Sequence, residues 1–450
     1  MHAGAGHPGV DAVTDAIRAA LAAAPQAAAG GICVGLSGGL DSSVLLHALA
    51  GMRPAGSLRA AYIDHGLHPD ASAWGAHCAA LCAALGVPYA CHRVAVVPDG
   101  EGIEAAARRA RYAALLGDLQ PGETLVTAHH RDDQAETLLL NLLRGSGPAG
   151  LAGIAGRHPE ARLLRPLLAV PRAAILGYAR AAGLAWVEDP ANRDPRFDRN
   201  FLRLQVLPLL ASRWPASAGA LARSAALCTE AAALLDDLAV ADARRVTQRG
   251  RIVLDRLATL TEARQRNLLR HLCRIGTGTA PPGQRLRAGL GQLLQAGSDR
   301  QPLLAWPGGE IRRFRGHLHI QRPLGAPPVD CAQLPARAGA SLELGAAAGR
   351  LSLRRARAGA PALRPSAGGF TVRFRQGGER LRPVGSTRRR DLKKLLQERG
   401  VVPWMRGRIP LLFADGQLVA VADLWIAQES AAASGEPGLR ICWDRHPPVD

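Results

Sequence analysis

The sequence predicts an α/β protein in three parts: a doubly wound parallel sheet at the N-terminus, an α-helical middle domain and a small α+β C-terminal domain. Three observations predict this order. Short apolar runs alternate with helical patterns over residues 32–144, helical patterns rich in Ala, Leu and Arg occupy residues 220–295, and the last hundred residues alternate strand-like runs with one strong helix. Because 450 residues exceed one ordinary domain of ~100–200 residues, we place the domains at 1–213, 214–335 and 336–450.

The N-terminal sheet is predicted from four apolar runs, residues 32–36, 60–64, 89–97 and 124–130, and from the helical patterns at residues 44–49, 74–85, 104–116 and 132–144. Strands that alternate with helices in this way form right-handed βαβ units and a parallel sheet. Ligands of such sheets bind beyond the carboxyl ends of the strands. We therefore expect the loops that begin at Ser37, Asp64 and His129 to open onto one site.

The rest of the chain is predicted from composition and periodicity. Helical patterns cover residues 220–238, 257–274 and 284–295, a Pro/Gly/Ala-rich stretch at residues 323–349 predicts a linker beside short strands, and residues 391–399 predict a helix. Cys78 and Cys82 share an apolar helix stripe with Trp74, Leu81 and Leu85, so we expect them in the core. None of the eight cysteines forms a Cys-x-x-Cys pair, and reduced thiols are expected.

The charge balance predicts a polyanionic partner. The chain has 56 Lys and Arg against 37 Asp and Glu, for a net charge of +19, and such a field attracts nucleic acid. A genomic bias towards Arg codons explains why Lys393 and Lys394 are the only lysines, but it does not explain the excess over acids. No apolar run reaches the ~18 residues of a membrane span, and residues 1–18 lack the pattern of an export signal. A cytoplasmic protein is expected.

A glycine-rich loop follows the first predicted strand, and its residues are Ser37, Gly38, Gly39, Leu40, Asp41 and Ser42. A strand–loop–helix of this kind directs unpaired backbone N–H groups and the positive end of the helix dipole at one point, where phosphate binds well. The loop lacks the Gly-Lys-[Ser/Thr] of a Walker loop and the Gly-x-Gly-x-x-Gly of dinucleotide-binding folds. A tight turn that needs two glycines is the structural alternative.

Two further clusters carry chemistry. On a helix that begins near Asp132, Asp133 and Glu136 share one face, and His129 lies just upstream. Together they are suited to bind an ammonium group, take its proton or hold a metal, although Asp132 or Asp133 is also a natural helix cap.

Arg108 and Arg111 lie three apart and are suited to clamp phosphate, unless they form a solvated basic face. The stretch at residues 64–68 has two histidines that are open to three interpretations: metal ligands, adenosine contacts or a polar loop.

The glycine-rich loop resembles the Ser-Gly-Gly-x-Asp-Ser loop of the PP-loop ATP pyrophosphatases, which cleave ATP between the α and β phosphates to adenylate a substrate. Within that class the chain resembles the tRNA(Ile)-lysidine synthase family, in its long form with two accessory domains. The matching stretches are residues 37–42, 64–68, 104–112, 129–147, 186–194 with Phe197, Arg199, Asn200 and Arg203, then 377–380, 392–398 and 402–406.

The resemblance implies that lysine is joined to C2 of the wobble cytidine of tRNA(Ile) with a CAU anticodon, through an adenylated cytidine, with release of AMP and pyrophosphate. It implies that residues 37–42 hold ATP and that Asp41 helps to place Mg²⁺. It further implies that Asp133 and Glu136 bind free lysine and that His129 or His130 orients or deprotonates it. Arg108 and Arg111 would offset charge on the α-phosphate. A tRNA thiolase is the alternative enzyme, and a non-catalytic RNA-binding protein is the alternative of another class; the absence of paired cysteines argues against the thiolase.

The C-terminal domain is expected to grip the tRNA body. Residues 364–408 contain 13 Lys and Arg against three acids, a local charge of +10, and phosphate contacts give affinity without sequence information. A solvated charged face is the alternative. The residues predicted to contact tRNA are Arg203, Arg380, Arg388, Lys393, Lys394 and Arg406. The sequence leaves open whether the protein is a monomer or a homodimer.

Overall fold

The computed structural model describes residues 8–97, 102–158, 162–297, 300–328, 331–357, 361–433 and 436–449. The chain divides into two compact units, Met1–Asp237 and Leu238–Asp450. In the described ranges, no helix is long and apolar enough to cross a membrane.

The first unit is built on a six-stranded sheet with the strand order β3-β2-β1-β4-β6-β5. All neighbours are parallel except the edge strand β5, which pairs antiparallel to β6. The strands are β1 (Ile32–Leu36), β2 (Leu58–Asp64), β3 (Tyr89–Arg93), β4 (Thr124–Val126), β5 (Arg157–His158) and β6 (Leu163–Leu164). The predicted parallel sheet at the N-terminus is therefore confirmed.

Helices connect and cover these strands. They are α1 (Pro8–Ala22), α2 (Pro25–Gly30), α3 (Leu40–Met52), α4 (Ala71–Leu85), α5 (Ile103–Gly117), α6 (Arg131–Leu143), α7 (Pro148–Leu151), α8 (Arg172–Ala181), α9 (Asp198–Phe201), α10 (Leu207–Arg213) and α11 (Ser217–Val246). A 3-10 turn, Pro190–Arg193, precedes α9, and a π-helical turn, Leu202–Val206, joins α9 to α10. Helix α11 runs from the first unit into the second.

Both faces of the sheet are buried, because successive strand residues point to opposite sides. Along β1, Val34 and Leu36 belong to one hydrophobic cluster, whereas Cys33 belongs to another. Parallel sheets are covered on both faces in this way, which explains why β1 reads as a nearly continuous apolar run. Cys78 and Cys82 are fully buried in the larger cluster, so their predicted place in the core is confirmed.

The second unit begins with helices and an antiparallel sheet of the strand order β7-β8-β11-β10-β9. Its helices are α12 (Leu254–Ala258), α13 (Glu262–Thr277) and α14 (Gly283–Gln295), and its strands are β7 (Thr247–Gln248), β8 (Arg251–Val253), β9 (Leu303–Trp306), β10 (Gly309–Phe314) and β11 (His317–Gln321). The helical prediction is confirmed, but the sheet was not predicted. A charged residue interrupts the apolar pattern of β10 in the sequence. Glu310 is nevertheless buried, because Arg312 and Gln321 donate hydrogen bonds to its carboxylate.

The C-terminal part of this unit contains two antiparallel sheets, β12-β15-β18-β19-β20 and β13-β14-β21, and the ribbon β16-β17. The strands are β12 (Ala332–Leu334), β13 (Ser341–Glu343), β14 (Arg350–Arg355), β15 (Phe370–Arg373), β16 (Arg380–Leu381), β17 (Arg390–Asp391), β18 (Leu411–Ala414), β19 (Gln417–Val421), β20 (Trp425–Ile426) and β21 (Leu439–Asp444). The predicted helix is present as α15 (Leu392–Glu398). Its Leu392, Leu395 and Leu396 are buried in a cluster around Phe370.

Candidate active site

A cavity of about 750 Å³ lies beyond the carboxyl ends of β1, β2 and β4. The loops that begin at Ser37, Asp64 and His129 all contribute to its wall, as the sheet topology leads us to expect. Helix α5 and the segment of residues 186–204 close the other sides. The polar and aromatic side chains and the glycine that line it include Ser37, Gly39, Asp41, Ser42, His65, Arg108, Arg111, Tyr112, Thr127, His129, Asp133, Arg199 and Arg203.

Hydrogen bonds and close packing fix the conformation of the glycine-rich loop. Gly38 has φ +77°, a left-handed conformation that favours glycine, and a Cβ there would lie 3.1 Å from Sγ of Cys78. The Gly38 carbonyl accepts a hydrogen bond of 2.9 Å from the backbone N–H of Val187. Ser42 Oγ accepts from the Ser37 N–H at 3.2 Å and donates to the Gly39 carbonyl at 3.1 Å. The first turn of α3, which begins at Leu40, therefore offers its N–H groups to the cavity.

His130 is buried among carboxylates and connects the glycine-rich loop with α6. It is 1% exposed, and its Nε2 lies 3.7 Å from Asp41 Oδ2 and 3.6 Å from Asp133 Oδ2. Its Nδ1 lies 3.8 Å from Asp132 Oδ2. Burial lowers the pKa of His130, but the hydrogen bond to Asp41 and the surrounding carboxylate charges outweigh burial, so the pKa is raised. The surrounding carboxylates therefore stabilise the protonated imidazole relative to that of a free histidine.

Both aspartates at the start of α6 accept hydrogen bonds from backbone N–H groups. Asp133 Oδ2 accepts the N–H of His130 at 2.9 Å, and Asp132 Oδ2 accepts the N–H of Arg172 at 2.9 Å. The capping interpretation is therefore correct for Asp133, which nevertheless also lines the cavity. Asp132 ties the start of α8 to α6.

Asp133 and Glu136 share one face of α6, as predicted, and two arginines hold them. Arg199 lies 2.6 Å from Asp133 Oδ1 through Nη2 and 2.6 Å from Glu136 Oε2 through Nε. Arg203 donates to Glu136 Oε1 at 2.6 Å and to Glu136 Oε2 at 3.0 Å, and its Nη2 also lies 3.4 Å from Asp133 Oδ1. The Glu136 side chain is only 1% exposed. We call these four side chains the carboxylate–arginine cluster.

His129 lies in the opposite electrostatic environment. Its Nδ1 is 3.1 Å from Thr127 Oγ1, and its Nε2 is 3.4 Å from Nη2 of Arg108. Burial lowers the pKa of His129 to about 3, and the charges of Arg165, Arg108 and Arg199 act in the same direction against that of Asp133. This imidazole is therefore neutral at neutral pH.

Arg108 and Arg111 both line the cavity, and both lie close to the ring of Tyr112. Their guanidinium carbons lie 5.2 Å and 5.8 Å from the centre of the Tyr112 ring, a distance at which a cation is attracted to an aromatic face. Burial and the charge of Arg108 lower the pKa of Arg111. Two neighbouring guanidiniums in a partly buried place favour an anion, so the phosphate clamp has the required charge.

Asp64, His65 and His68, which follow one another at the end of β2, lie in three different environments. Asp64 is buried, accepts the N–H of Gly66 at 2.8 Å and pairs with Arg93 at 3.2 Å. His65 lines the cavity, and its buried Nδ1 has no hydrogen-bond partner among the described residues. His68 stacks on Trp74 with ring centres 4.5 Å apart. Ligation by both histidines is therefore not what this geometry offers.

Sequence reasoning left Arg199 out of the site and assigned Arg203 to tRNA. The structure places both in the cavity wall against Asp133 and Glu136. The available signal was their spacing of four, which brings side chains together on a helix. That spacing does not say which carboxylates they meet, and a tRNA contact by Arg203 stays a prediction.

The other predicted tRNA contacts lie in the second unit. Arg380, Arg388, Lys393 and Lys394 are exposed, whereas Arg406 is half-buried. Arg406 donates to the Val401 carbonyl at 2.9 Å and lies over the Phe314 ring.

Arg408, counted in the basic stretch, is 5% exposed and donates to the carbonyls of Gly325 and Ala326. The basic surface is therefore smaller than the residue count suggests.

Comparison with known proteins gives matches along most of the chain. A model of the PP-loop domain matches residues 13–210, a model of the TilS substrate binding domain matches residues 253–319, and a model of the TilS substrate C-terminal domain matches residues 370–443. The tRNA(Ile)-lysidine synthase of Alkalilimnicola ehrlichii is 45% identical over 93% of this chain and 95% of its own. That of Methylococcus capsulatus is 42% identical over 91% and 95%.

Among solved structures, the U34-tRNA thiolase NcsA from Methanococcus maripaludis is similar to the chain with a TM-score of 0.40 and 18% identity, over 48% of this chain and 78% of that one.

Proposed function

Since this chain belongs to the tRNA(Ile)-lysidine synthase family, we propose that it joins lysine to C2 of the wobble cytidine of tRNA(Ile) with a CAU anticodon. It is an enzyme with a PP-loop ATP-binding domain, and it is a ligase that modifies tRNA. The observation that carries the detailed proposal is that one cavity is lined by the glycine-rich loop, by Arg108 and Arg111 and by Asp133. Glu136 does not line this cavity: it is 1% exposed and lies against Arg199 and Arg203 of the cavity wall. We place this reaction in the cytoplasm.

The proposed reaction has two substitutions. In the first, O2 of cytidine attacks the α-phosphorus of ATP, the bond to the β-phosphate oxygen breaks and pyrophosphate leaves. In the second, the side-chain nitrogen of lysine attacks C2, the C2–O bond breaks and AMP leaves with that oxygen. The attacking amine is protonated near neutral pH and must lose a proton before it reacts.

The nucleotide phosphates would lie against residues 37–42, with N–H groups from the start of α3. Arg108 and Arg111 would stabilise the negative charge that grows on the α-phosphate and on departing pyrophosphate.

Asp41 would hold a magnesium ion. Its Oδ1 is buried without a hydrogen-bond partner among the described residues, and a carboxylate oxygen is a ligand that Mg²⁺ prefers. When bound, the ion would neutralise phosphate charge.

Asp133 and Glu136 would bind the cationic groups of lysine, and His129 would accept the proton. Of the two neighbouring histidines, His129 is the neutral one, with Nε2 facing Nη2 of Arg108 at 3.4 Å, whereas the carboxylates around His130 raise its pKa. Phosphates bound beside Arg108 would offset the charges that lower the pKa of His129 and make it a better base. The unstacked cytidine would enter the cavity between these groups.

The exposed basic residues of the second unit would bind the tRNA backbone. Arg380, Arg388, Lys393 and Lys394 are exposed, and lysine and arginine on a surface bind phosphate independently of sequence.

The direct test incubates the full chain with ATP, Mg²⁺, radiolabelled lysine and a tRNA(Ile) transcript with a CAU anticodon. We expect label in the RNA and one AMP per lysine joined. A transcript with uridine at the wobble position is the matched control, and it should take no label. Production of ADP, or label in the control, would contradict the proposal.

A further inference from the structure

The two carboxylates proposed for lysine are already fully paired inside the protein. Arg199 bridges Asp133 and Glu136 with two contacts of 2.6 Å, and Arg203 bonds Glu136 from the other side at 2.6 Å. Two negative and two positive side chains make the carboxylate–arginine cluster neutral. An arriving ammonium group would therefore meet two guanidiniums where it needs free carboxylate oxygens.

Burial makes this competition strong. The side chains of Asp133 and Glu136 are 11% and 1% exposed, so water screens their interactions poorly. A third cation gains little from carboxylates that are already neutralised, and it is repelled by the guanidiniums. Lysine binding at this place requires at least one arginine to leave.

The side chains of Arg199 and Arg203 have room to move away from the carboxylates. Arg199 and Arg203 line the open cavity, with side chains 25% and 31% exposed. Arg199 belongs to the single turn of α9, and Arg203 to the π-helical turn Leu202–Val206. Such π turns are frequent at functional sites because their backbone pairing is irregular.

The phosphate-binding loop is close enough to attract them. Asp41 of that loop and Asp133 lie 3.7 Å and 3.6 Å from Nε2 of the same imidazole, His130, and the other oxygen of Asp133 contacts Arg199 at 2.6 Å. Arg203 lines the same cavity as the loop. Both guanidiniums therefore lie within electrostatic reach of a bound nucleotide. Guanidinium binds phosphate through two parallel hydrogen bonds, as it binds carboxylate.

We propose that Arg199 and Arg203 order the two substrates: they fill the amine subsite while the cavity lacks nucleotide, and turn to the phosphates when nucleotide binds, which frees Asp133 and Glu136 for lysine. This inference rests on the proposed role of those carboxylates in lysine binding. It makes the arginines positioning residues whose effect is a coupling between two ligands. Lysine then enters the site only once the activating nucleotide is in place.

The test measures lysine binding at equilibrium with radiolabelled lysine and the full chain. One sample contains no nucleotide, and the other contains Mg²⁺ and an ATP analogue with a methylene group between the α and β phosphates, which cannot be cleaved there. We expect lysine to bind at least ~tenfold more tightly with the analogue, a usual size for coupling between sites. Equal dissociation constants in the two samples would overturn the inference, and this comparison needs no variant.

Variants identify the residues responsible. Arg199→Met and Arg203→Met keep much of the side-chain stem and remove the charge, so each should bind lysine more tightly than the wild type in the absence of analogue. Arg196→Met is the matched control, because Arg196 is 87% exposed and pairs with Asp194; it should keep the dependence on nucleotide. A folded Arg199→Met and a folded Arg203→Met that both keep that dependence would also overturn the inference.

Asp133→Asn separates this inference from the proposed function. If the carboxylate does not bind lysine, the variant binds lysine as the wild type does, and both proposals fail. If the variant loses lysine while the wild type binds it equally with and without the analogue, only the ordering is wrong.

Discussion

His129 and His130 are adjacent in the chain, yet their imidazoles lie in opposite electrostatic surroundings. Nε2 of His129 lies 3.4 Å from a guanidinium nitrogen of Arg108, whereas Nε2 of His130 lies 3.7 Å from a carboxylate oxygen of Asp41. At the junction of β4 and α6 the two rings are directed to different groups. The pKa of the His129 ring is lowered to about 3, whereas that of the His130 ring is raised, so the two neighbours differ in their affinity for a proton.

Replacement of these histidines by glutamine should have unequal effects on stability. His130→Gln removes a buried imidazole that lies within 3.8 Å of Asp41, Asp132 and Asp133, so the free energy of unfolding should fall by about 1–3 kcal/mol. His129→Gln removes a neutral ring and keeps an acceptor for Arg108, so it should cost less. Urea unfolding of both variants at pH 7 measures the difference, and a larger loss for His129→Gln would contradict the assignment of charge.

The stability of the wild type should depend on pH through His129. Because its pKa is lowered to about 3 in the folded protein, the unfolded chain binds a proton near pH 6.5 that the folded protein does not. Stability from this group is therefore complete above pH 6.5 and is lost as pH falls towards 3. The difference between His129→Gln and wild type should shift in favour of the variant by about 1–2 kcal/mol between pH 7 and 5. Urea unfolding at the two pH values checks this, and a constant difference would refute it.

A buried ion-pair network at the amino end of the sheet should support stability without touching catalysis. Arg59 donates to both oxygens of Glu123, at 2.8 Å and 2.7 Å, and the Glu123 side chain is 4% exposed. Arg59→Met leaves this carboxylate without its partner and should cost about 3–5 kcal/mol. The hydrogen bond from Arg59 also lowers the pKa of Glu123, so its contribution is present above pH 4.5 and is lost as pH falls through the lower folded value.

Thermal unfolding measures the effect of Arg59→Met, and the KM values for ATP and lysine should not change. Arg18→Met is the matched control, because Arg18 pairs with Asp15 while both side chains are 70% exposed; it should change stability by less than about 1 kcal/mol. Equal effects of the two substitutions would show that the network contributes nothing.

Substitution of the two loop glycines should separate backbone strain from crowding. Gly38→Ala places a side chain at φ +77° and 3.1 Å from Cys78 Sγ, so it should cost about 1–2 kcal/mol and weaken ATP binding. Gly39→Ala is the control for stability, since Gly39 has φ −75° and a Cβ there meets no atom closer than 3.6 Å. Urea unfolding and fluorescent-nucleotide binding measure the two effects.

The double substitution Gly38→Ala with Cys78→Ala tests the same point. It removes the contact with sulfur but keeps the backbone conformation, so only part of the lost stability should return. Full recovery would mean that φ at residue 38 costs nothing.

The paired lysines of α15 should contribute to tRNA affinity through phosphate contacts. Lys393→Gln with Lys394→Gln should weaken tRNA binding and reduce the slope of log affinity against log salt by about 1–2. Filter binding from low to high salt measures this slope. Arg440→Gln, an exposed change on β21 outside residues 364–408, should leave it unaltered. An unchanged slope in the lysine variant would remove both residues from the interface.

The parallel sheet could be predicted from sequence because its determinants are local. β1 is an unbroken apolar run that ends directly at the glycine-rich loop, and β2 and β4 end at polar loops in the same way. Parallel topology then brings those loops to one edge whatever their separation in the chain. For the same reason the cavity could be expected before its geometry was known.

The partners of Asp133 and Glu136 could not be predicted, because they are not local. Arg199 and Glu136 are separated by 63 positions, and no periodicity links them. The contrast between His129 and His130 was equally hidden, since it arises from side chains of α3 and α5 that the fold brings together. The sheet of the second unit was missed because Glu310 is buried by ion pairing and not by apolar character.

The hydrogen bond from the Val187 N–H to the Gly38 carbonyl has a consequence for protein synthesis. About 150 residues separate its two ends, so the ribosome must release nearly the whole first unit before the loop acquires this contact. A nascent chain that ends before residue 187 contains all six strands of the sheet but lacks the hydrogen bond from Val187 to the glycine-rich loop. We therefore expect the loop to bind nucleotide only after residue 187 has left the ribosome.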